Sequence, residues 1–267
     1  MEIDFFNLLI LAFVIAALMM LLVWWIAMRI KNAGIVDIAW AGNFTLLAVV
    51  YAVLGSGYRP RKALAVAMMT AWSLRLTLHL YRRVMGHHPV EDGRYQQLRR
   101  EWASSLPVKF FWFFQFQGCL NVVLSVPVLL ACLNAEPQIH VLEWLALGTS
   151  ITALLGEWAA DSQLARFKSN PANAGKVCQA GLWNYSRHPN YFFEWLIWVS
   201  YFLLVLPSPY GFATIYCPLL MLYFLFRVTG IPMTEEQAIR SKGDVYREYQ
   251  RTTSAFVPWM KKVIRDA

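Results

Sequence analysis

The stretch from residue 161 to residue 194 holds the densest group of side chains that could bind a charged molecule. Its polar candidates are interleaved with aromatic rings, and they are Asp161, Arg166, Lys168, Tyr185, Arg187, His188, Asn190, Tyr191 and Glu194. Cations suit phosphate groups by charge, and an arginine can form two parallel hydrogen bonds with one phosphate. Aromatic faces can stack on a nucleobase or a nicotinamide ring. The stretch therefore predicts a site for a phosphate-bearing cofactor.

An alternative for the same stretch is a basic collar that binds anionic lipid head groups, with Trp and Tyr side chains as interfacial anchors. Asp161, Glu194 and the asparagines would gain nothing from contact with an anionic lipid surface. We therefore favour the cofactor site and keep the lipid collar as the alternative.

Ionisable residues inside apolar runs form a second group of candidates, because each is costly in a membrane unless it is paired or hydrated. Arg75 and His79 follow Trp72 at positions i+3 and i+7, so the three share one face of a helix and can line one pocket. Asp37 lies early in the preceding apolar run. Arg75 could instead pair with Asp37 or Glu194 and hold helices together.

The composition indicates a membrane protein. Of the 267 residues 58% are hydrophobic and 15% are charged, whereas a soluble globular protein has about 25% charged residues. The net charge of +8 falls in the gaps between apolar runs, which argues against a nucleic-acid surface. No Gly-rich dinucleotide fingerprint, phosphate-binding loop or Cys/His metal spacing is present, so we predict neither a soluble dinucleotide-binding fold nor a metal site.

Seven apolar runs approach or exceed the length of about 20 residues that a helix needs to cross the hydrocarbon core. They cover 5–28, 35–54, 63–81, 110–133, 141–160, 191–206 and 210–228. We therefore predict an all-α, polytopic membrane protein that forms a single domain over 1–267. The polar tail, 234–267, is spaced as an amphipathic helix that would lie on the cytoplasmic face and close the cofactor pocket.

The distribution of Lys and Arg predicts the orientation in the membrane. Alternate gaps between the runs hold 20 of these residues on the side of the C-terminus and 3 on the other side. Basic loops stay cytoplasmic, so we expect the N-terminus outside and the C-terminus inside. The three outer cations, Arg59, Arg61 and Lys62, are the exception to this pattern.

The segment Gly181–Tyr191 with Glu194 resembles the steroid 5-alpha-reductase-like membrane family, particularly its bacterial branch. The resemblance extends over most of the chain, through Val36–Trp40, Arg75, Glu91–Tyr95, Arg99–Trp102, Thr234–Gln237, Tyr246–Tyr249 and Phe256–Trp259. The wider superfamily includes isoprenylcysteine carboxyl methyltransferases, which share the Arg-His-Pro-x-Tyr element seen here at Arg187–Tyr191.

The resemblance implies a reductase of a bacterial inner membrane that uses NADPH to reduce an apolar α,β-unsaturated carbonyl compound, with hydride added to the β-carbon. The positions similar to the cofactor-binding residues of the family are Arg75, Asp161, Asn190, Tyr191 and Glu194, with Tyr185 on the loop. Arg166 and Lys168 occupy the place of a basic pair that would suit the phosphates. The sequence departs from the steroid enzymes at the second helix, where Asp37 is the nearest acid, and at Trp72, which stands in place of a tyrosine.

Such a reaction needs a donor that polarises the carbonyl oxygen and a proton for the α-carbon. The candidates are Asp37, His79 and Tyr95, the last in a loop. A second interpretation is methyl transfer from S-adenosylmethionine to a lipid or prenylated substrate, and a third is a non-catalytic sterol- or lipid-binding membrane protein. The expected partners are the apolar substrate and membrane lipids, with no nucleic acid and no obligatory protein partner.

Overall fold

A computed structural model describes residues 4–228 and 230–262. Within these ranges the chain is helical and contains no β-strand, which confirms the all-α prediction. The α-helices are α1 (Phe5–Ile30), α2 (Ile35–Leu54), α3 (Arg59–Met85), α4 (Gly93–Glu101), α5 (Leu106–Leu133), α6 (Val141–Ser169), α7 (Pro189–Val205), α8 (Tyr216–Tyr223), α9 (Ile231–Lys242) and α10 (Asp244–Thr252). The end of the predicted cytoplasmic tail, 263–267, lies outside the described residues.

Five helical segments of the described chain are long and apolar enough to cross a membrane, so the protein is a polytopic membrane protein. They are Phe5–Ile30, Ile35–Leu54, Arg59–Met85, Ala103–Leu133 and Gly211–Lys242. The other two predicted spans, 141–160 and 191–206, correspond to α6 and to α7, which ends at Val205. Neither is among these five segments: α6 carries the carboxylates Glu143, Glu157 and Asp161, and α7 has only 17 residues.

Several helices differ in extent from the apolar runs. Helix α3 begins before its run at Arg59, because Pro60 fits the first turn, where no backbone N–H is needed. Helix α6 continues past its run to Ser169, which places Asp161, Arg166 and Lys168 on a helix. The run 210–228 is a 3₁₀ turn, Gly211–Ile215, followed by α8 and a π-helical turn, Phe224–Val228.

Two predictions outside the apolar runs are corrected. Tyr95 lies on α4 and not in a loop, because the Asp92 side chain accepts from the Arg94 N–H and caps that helix. The tail forms two helices, α9 and α10, instead of one amphipathic helix. Gly243, with φ of 56°, separates them, and glycine is the residue that adopts such a conformation without steric cost.

The chain divides into two compact units, one comprising Met1–Glu143 with Leu204–Thr214 and the other Trp144–Leu203 with Ile215–Ala267. In the first unit Tyr95 packs among buried Met20, Phe110 and Phe114, which fixes α4 on α1 and α5. In the second unit a cluster of Leu225, Ile231 and Phe256 packs on α7. These cores position the polar groups described below, and the predicted single domain stays a prediction.

A buried ion pair in the first unit accounts for one of the exceptional outer cations. Arg61 is 1% exposed and Glu143 is 0% exposed, and Arg61 Nε donates to Glu143 Oε1 at 2.5 Å. Arg61 also donates to the carbonyl groups of Asn134 and Glu136. Lys62 Nζ donates to the Gly55 carbonyl at the end of α2. The Arg61 charge is therefore compensated inside the protein and is not a free charge on an outer loop.

We expect Glu143→Gln to lower the free energy of unfolding by about 3–5 kcal/mol, because Arg61 would keep its charge without its buried partner. The double variant Arg61→Met with Glu143→Leu should lose less free energy of unfolding than the sum of the losses in Arg61→Met and in Glu143→Leu measured separately. Chemical unfolding in detergent measures these free energies. The control is Glu248→Gln, which removes an exposed ion pair with Arg251 and should cost at most about 1 kcal/mol. Equal losses in Glu143→Gln and the control would contradict the prediction.

Candidate functional site

Hydrogen bonds to Glu235 join the loop before α7 to helices α9 and α10 in the second unit. Arg187 Nε donates to Glu235 Oε1 at 2.6 Å, and His188 Nε2 lies 3.1 Å from the same oxygen. Gln250 Nε2 donates to Glu235 Oε2 at 2.7 Å. The Arg187 and Glu235 side chains are 11% and 13% exposed, so their charges are shielded from most of the solvent. One carboxylate thus connects three segments of the chain.

Arg187 also fixes the end of α10. Its Nη1 donates to the carbonyl groups of Gln250 and Thr253, at 3.0 Å and 2.6 Å. The last carbonyl groups of a helix have no partner within the helix, so a cation at this position satisfies them. The Arg187 backbone N–H donates to the Ser254 carbonyl at 2.8 Å. These contacts make Arg187 a positioning residue for α9 and α10.

Two tyrosines of α10 complete the contacts with the loop. The Tyr249 hydroxyl donates to the backbone carbonyl groups of Trp183 and Ser186. The Tyr246 hydroxyl lies 3.5 Å from Glu235 Oε1. Burial raises the pKa of both phenols, and the Glu235 charge adds to this effect. Both hydroxyl groups therefore stay protonated at neutral pH and act as donors.

A cavity of about 430 Å³ lies beside these contacts within the second unit. Its walls carry cations, amides and aromatic rings, among them Lys168, Lys176, Lys242, Arg187, His188, Asn170, Asn173, Trp183 and Tyr246. No described residue that lines it has a carboxylate. Its volume falls in the range of about 300–1,000 Å³ that is usual for ligand sites. The arrangement suits an anionic ligand with an aromatic or apolar part.

Three of the cofactor-binding residues predicted from the sequence line this cavity: Lys168, Arg187 and His188. Arg166 is exposed on α6 and is not among the lining residues. The Tyr185 side chain is also exposed. Lys168 and Arg166 therefore differ in surroundings, although the sequence suggested that they form one basic pair.

The remaining predicted residues of the second unit lie on helices next to this region. Asn190 Nδ2 donates to Asp161 Oδ1 at 3.3 Å, which joins α7 to α6. Tyr191 stacks on His188 with ring centroids 5.3 Å apart, and its hydroxyl lies 3.1 Å from the Thr234 hydroxyl. Glu194 Oε1 accepts from Trp198 Nε1 at 3.2 Å.

Glu235 and Lys242 lie outside the stretch 161–194 from which the site was predicted, whereas Lys176 lies inside it. Glu235 and Arg187 are 48 residues apart in the chain, and no local spacing connects them. The available signal was the acidic pair Glu235 and Glu236, the first charged residues after Arg227. A carboxylate in a segment rich in cations is a candidate partner for one of them.

A second polar cluster lies in the first unit around Asp37. The Tyr95 hydroxyl donates to Asp37 Oδ1 at 2.6 Å, and Arg94 and Arg83 donate to Oδ2 at 3.0 Å and 3.3 Å. The structure thus brings together Asp37 and Tyr95, two of the predicted proton donors. All three of these partners are donors, so Asp37 is an acceptor in this arrangement.

The candidate residues of α3 have different surroundings. Trp72 is buried and packs edge to face on Trp40 and Phe44. Arg75 is partly buried, and His79 is exposed. The guanidinium groups that contact Asp37 belong to Arg83 and Arg94, and neither is the Arg75 that the sequence suggested as a possible partner.

The fold and the cavity define an all-helical integral membrane protein with a cation-lined polar site. The chain belongs to the family described as Protein of unknown function (DUF1295), whose model matches residues 23–253. It is similar to an uncharacterized protein of Schizosaccharomyces pombe, with 27% identity over 268 residues that cover 88% of this chain and 75% of the relative. No solved structure matches the chain.

We expect Glu235→Gln to lower the free energy of unfolding by about 1.5–3 kcal/mol, the range for hydrogen bonds to charged groups. It should also make the connection between α9 and α10 more sensitive to limited proteolysis, since Arg187 and Gln250 would lose their common acceptor. Glu236→Gln is the matched control, because Glu236 pairs with Arg240 on the exposed surface. Identical melting temperatures and cleavage rates for the two variants would refute this role of Glu235.

Proposed function

We propose that this protein is a membrane-embedded, NADPH-dependent reductase that adds a hydride to the β-carbon of an α,β-unsaturated carbonyl group in an apolar substrate. The observation that carries the proposal is the cation-lined cavity of about 430 Å³, whose described walls carry no carboxylate. The resemblance of Gly181–Tyr191 to the steroid 5-alpha-reductase-like family supports the same activity. We further propose a bacterial inner membrane location, with the cavity on the cytoplasmic side, where most of the basic residues lie.

The residues of the cavity fit the chemical groups of NADPH. Lys168 and Lys176 would bind its phosphates by charge, and the Trp183 and Tyr246 rings would cover an aromatic ring. NADPH supplies the hydride when it is bound. Arg187 would keep α9 and α10 in place as the walls of the site, through its contacts with Glu235 and the end of α10.

The charge of the cavity favours NADPH over S-adenosylmethionine. The sulfonium group of S-adenosylmethionine is a cation, and Lys168, Lys176 and Lys242 would repel it. A methyltransferase acting on a lipid or prenylated substrate stays the alternative, because its superfamily shares the element at Arg187–Tyr191. A non-catalytic sterol- or lipid-binding protein would bind neither cofactor.

The contacts in the first unit favour Tyr95 as the proton donor among the three candidates. Its side chain is buried, and burial together with the Asp37 charge raises its pKa well above the usual value. The hydroxyl stays protonated, and its one hydrogen, which Asp37 Oδ1 accepts in the structure, would turn to the carbonyl oxygen of a bound substrate in a dry site, where such a bond is strongest. Asp37 would hold the phenol in place before the substrate binds, and His79 stays the second candidate.

The first test measures cofactor binding to the purified full-length protein. NADPH should bind, and Lys168→Gln or Lys176→Gln should lower its affinity about tenfold, which corresponds to about 1.4 kcal/mol. The loss should be smaller for NADH, which lacks one phosphate. Arg166→Gln is the matched control on the same helix as Lys168, and we expect it to change the affinity little.

Mass spectrometry of the ligand released from freshly purified protein distinguishes the alternatives. Recovery of S-adenosylmethionine would contradict the reductase proposal and favour the methyltransferase. Absence of both cofactors, with no binding of either when added, would favour the non-catalytic lipid-binding protein. An equal loss of NADPH affinity in Arg166→Gln and Lys168→Gln would contradict the proposal that the cofactor binds in this cavity.

The second test concerns the proton donor. Tyr95→Phe should keep folding and NADPH affinity but lower turnover of an enone about 100-fold to 10,000-fold, the range for loss of general acid catalysis. Tyr81→Phe is the control, because Tyr81 is an exposed tyrosine in the same unit. Full turnover in Tyr95→Phe would make His79 the first candidate, to be tested by His79→Gln.

A further inference from the structure

A second cavity of about 370 Å³ lies against residues 253–262, here named the C-terminal strap. Three cations line it, Arg187, Arg251 and Lys262, together with the apolar side chains of Val257, Trp259 and Met260. Among the described residues on its walls there is no carboxylate. Positive charge and exposed apolar surface in one cavity match an amphiphilic anion.

Backbone hydrogen bonds hold the C-terminal strap in a defined position on the second unit. The Trp259 N–H donates to the Tyr185 carbonyl at 2.9 Å, and the Lys262 N–H donates to the Thr252 carbonyl at 2.9 Å. The Ser186 hydroxyl donates to the Phe256 carbonyl at 2.7 Å. The walls of the cavity are therefore anchored to the loop before α7 and to α10.

The C-terminal strap packs on two apolar helical segments of the second unit. Its Phe256 is buried against the rings of Phe192 and Trp195, on the first turns of α7, and against Phe226, near the end of the apolar run 210–228. The apolar runs 191–206 and 210–228 are predicted membrane spans, and tryptophan side chains and cations are enriched where such spans meet the lipid head groups. On that prediction the cavity lies at the depth of the head groups.

Two apolar side chains of the C-terminal strap are largely exposed. Trp259 is 69% exposed and Met260 is 77% exposed, although Phe256 in the same segment is buried. An exposed Trp-Met pair followed by Lys261 and Lys262 is typical of a segment that inserts its apolar side chains between lipids and keeps its cations in the head-group layer.

We propose that this cavity binds the head group of an anionic phospholipid from the adjoining leaflet, with Trp259 and Met260 in contact with its acyl chains. Arg187 pairs with Glu235 and Arg251 pairs with Glu248, and neither carboxylate lines the cavity. Glu235 orients the Arg187 guanidinium group, and Lys262 adds a charge that favours an anion. The proposal is independent of the reductase activity.

Native mass spectrometry of the full-length protein in a neutral detergent tests this site. We expect phosphatidylglycerol to bind more tightly than phosphatidylcholine with the same acyl chains. Arg251→Gln and Lys262→Gln should each lower the affinity for phosphatidylglycerol about fivefold, since one cation near an anionic lipid surface contributes about 1 kcal/mol. Trp259→Ala should weaken the binding of both lipids.

The matched control is Arg247→Gln, because Arg247 lies on the same helix as Arg251 but does not line this cavity. Equal affinity for the two lipids, or an equal loss in Arg247→Gln and Arg251→Gln, would overturn the proposal. Inorganic phosphate is a third probe, and it would overturn the lipid site if it bound as tightly as phosphatidylglycerol and depended on Arg251. Lys262→Gln carries the test if Arg251→Gln fails to fold, since the Lys262 side chain is exposed.

Discussion

The ion pair between Arg187 and Glu235 is the interaction on which the second unit depends. The walls of the larger cavity come from two segments, one ending at His188 and one beginning at Thr234. Arg187 and Glu235 join these segments directly, and Gln250 adds α10 to the same carboxylate. A hydrogen-bonded charge pair shielded from solvent is costly to break, because the remaining charge stays without compensation. The shape of the cavity therefore depends on this ion pair, and so do the positions of lining residues that do not contact the pair.

Hydrophobic pattern predicted most of the helices, because the length of an apolar run is set directly by the thickness of the membrane. Helix α2 occupies the predicted range 35–54. The pattern failed where polar residues form helices: α4 has no apolar run, and the end of α6 beyond 160 carries Asp161, Arg166 and Lys168. Caps and tertiary packing define such helices, and a hydropathy pattern does not contain that information.

The candidate site was predictable in its residue types but not in its pairings. The sequence marks Arg61, Arg187 and Asp37 as charged residues that need a partner, but it does not show which charge compensates each of them. Their partners are 82, 48 and 57 residues away in the chain, in Glu143, Glu235 and Arg94. The Arg61 example also limits the counting of basic residues for topology, since a cation buried with a carboxylate adds little to the charge of its loop.

The placement of the carboxylates gives the two cavities of the second unit their common property. Arg187 lines both cavities, while its partner Glu235 lines neither. Arg251 has the same relation to Glu248 at the smaller cavity. A carboxylate behind a guanidinium group fixes its plane and reduces repulsion between neighbouring cations, whereas a carboxylate on the cavity wall would repel an anionic ligand. Both cavities therefore combine guanidinium donors with described walls that carry no acidic side chain, an arrangement that suits an anionic ligand.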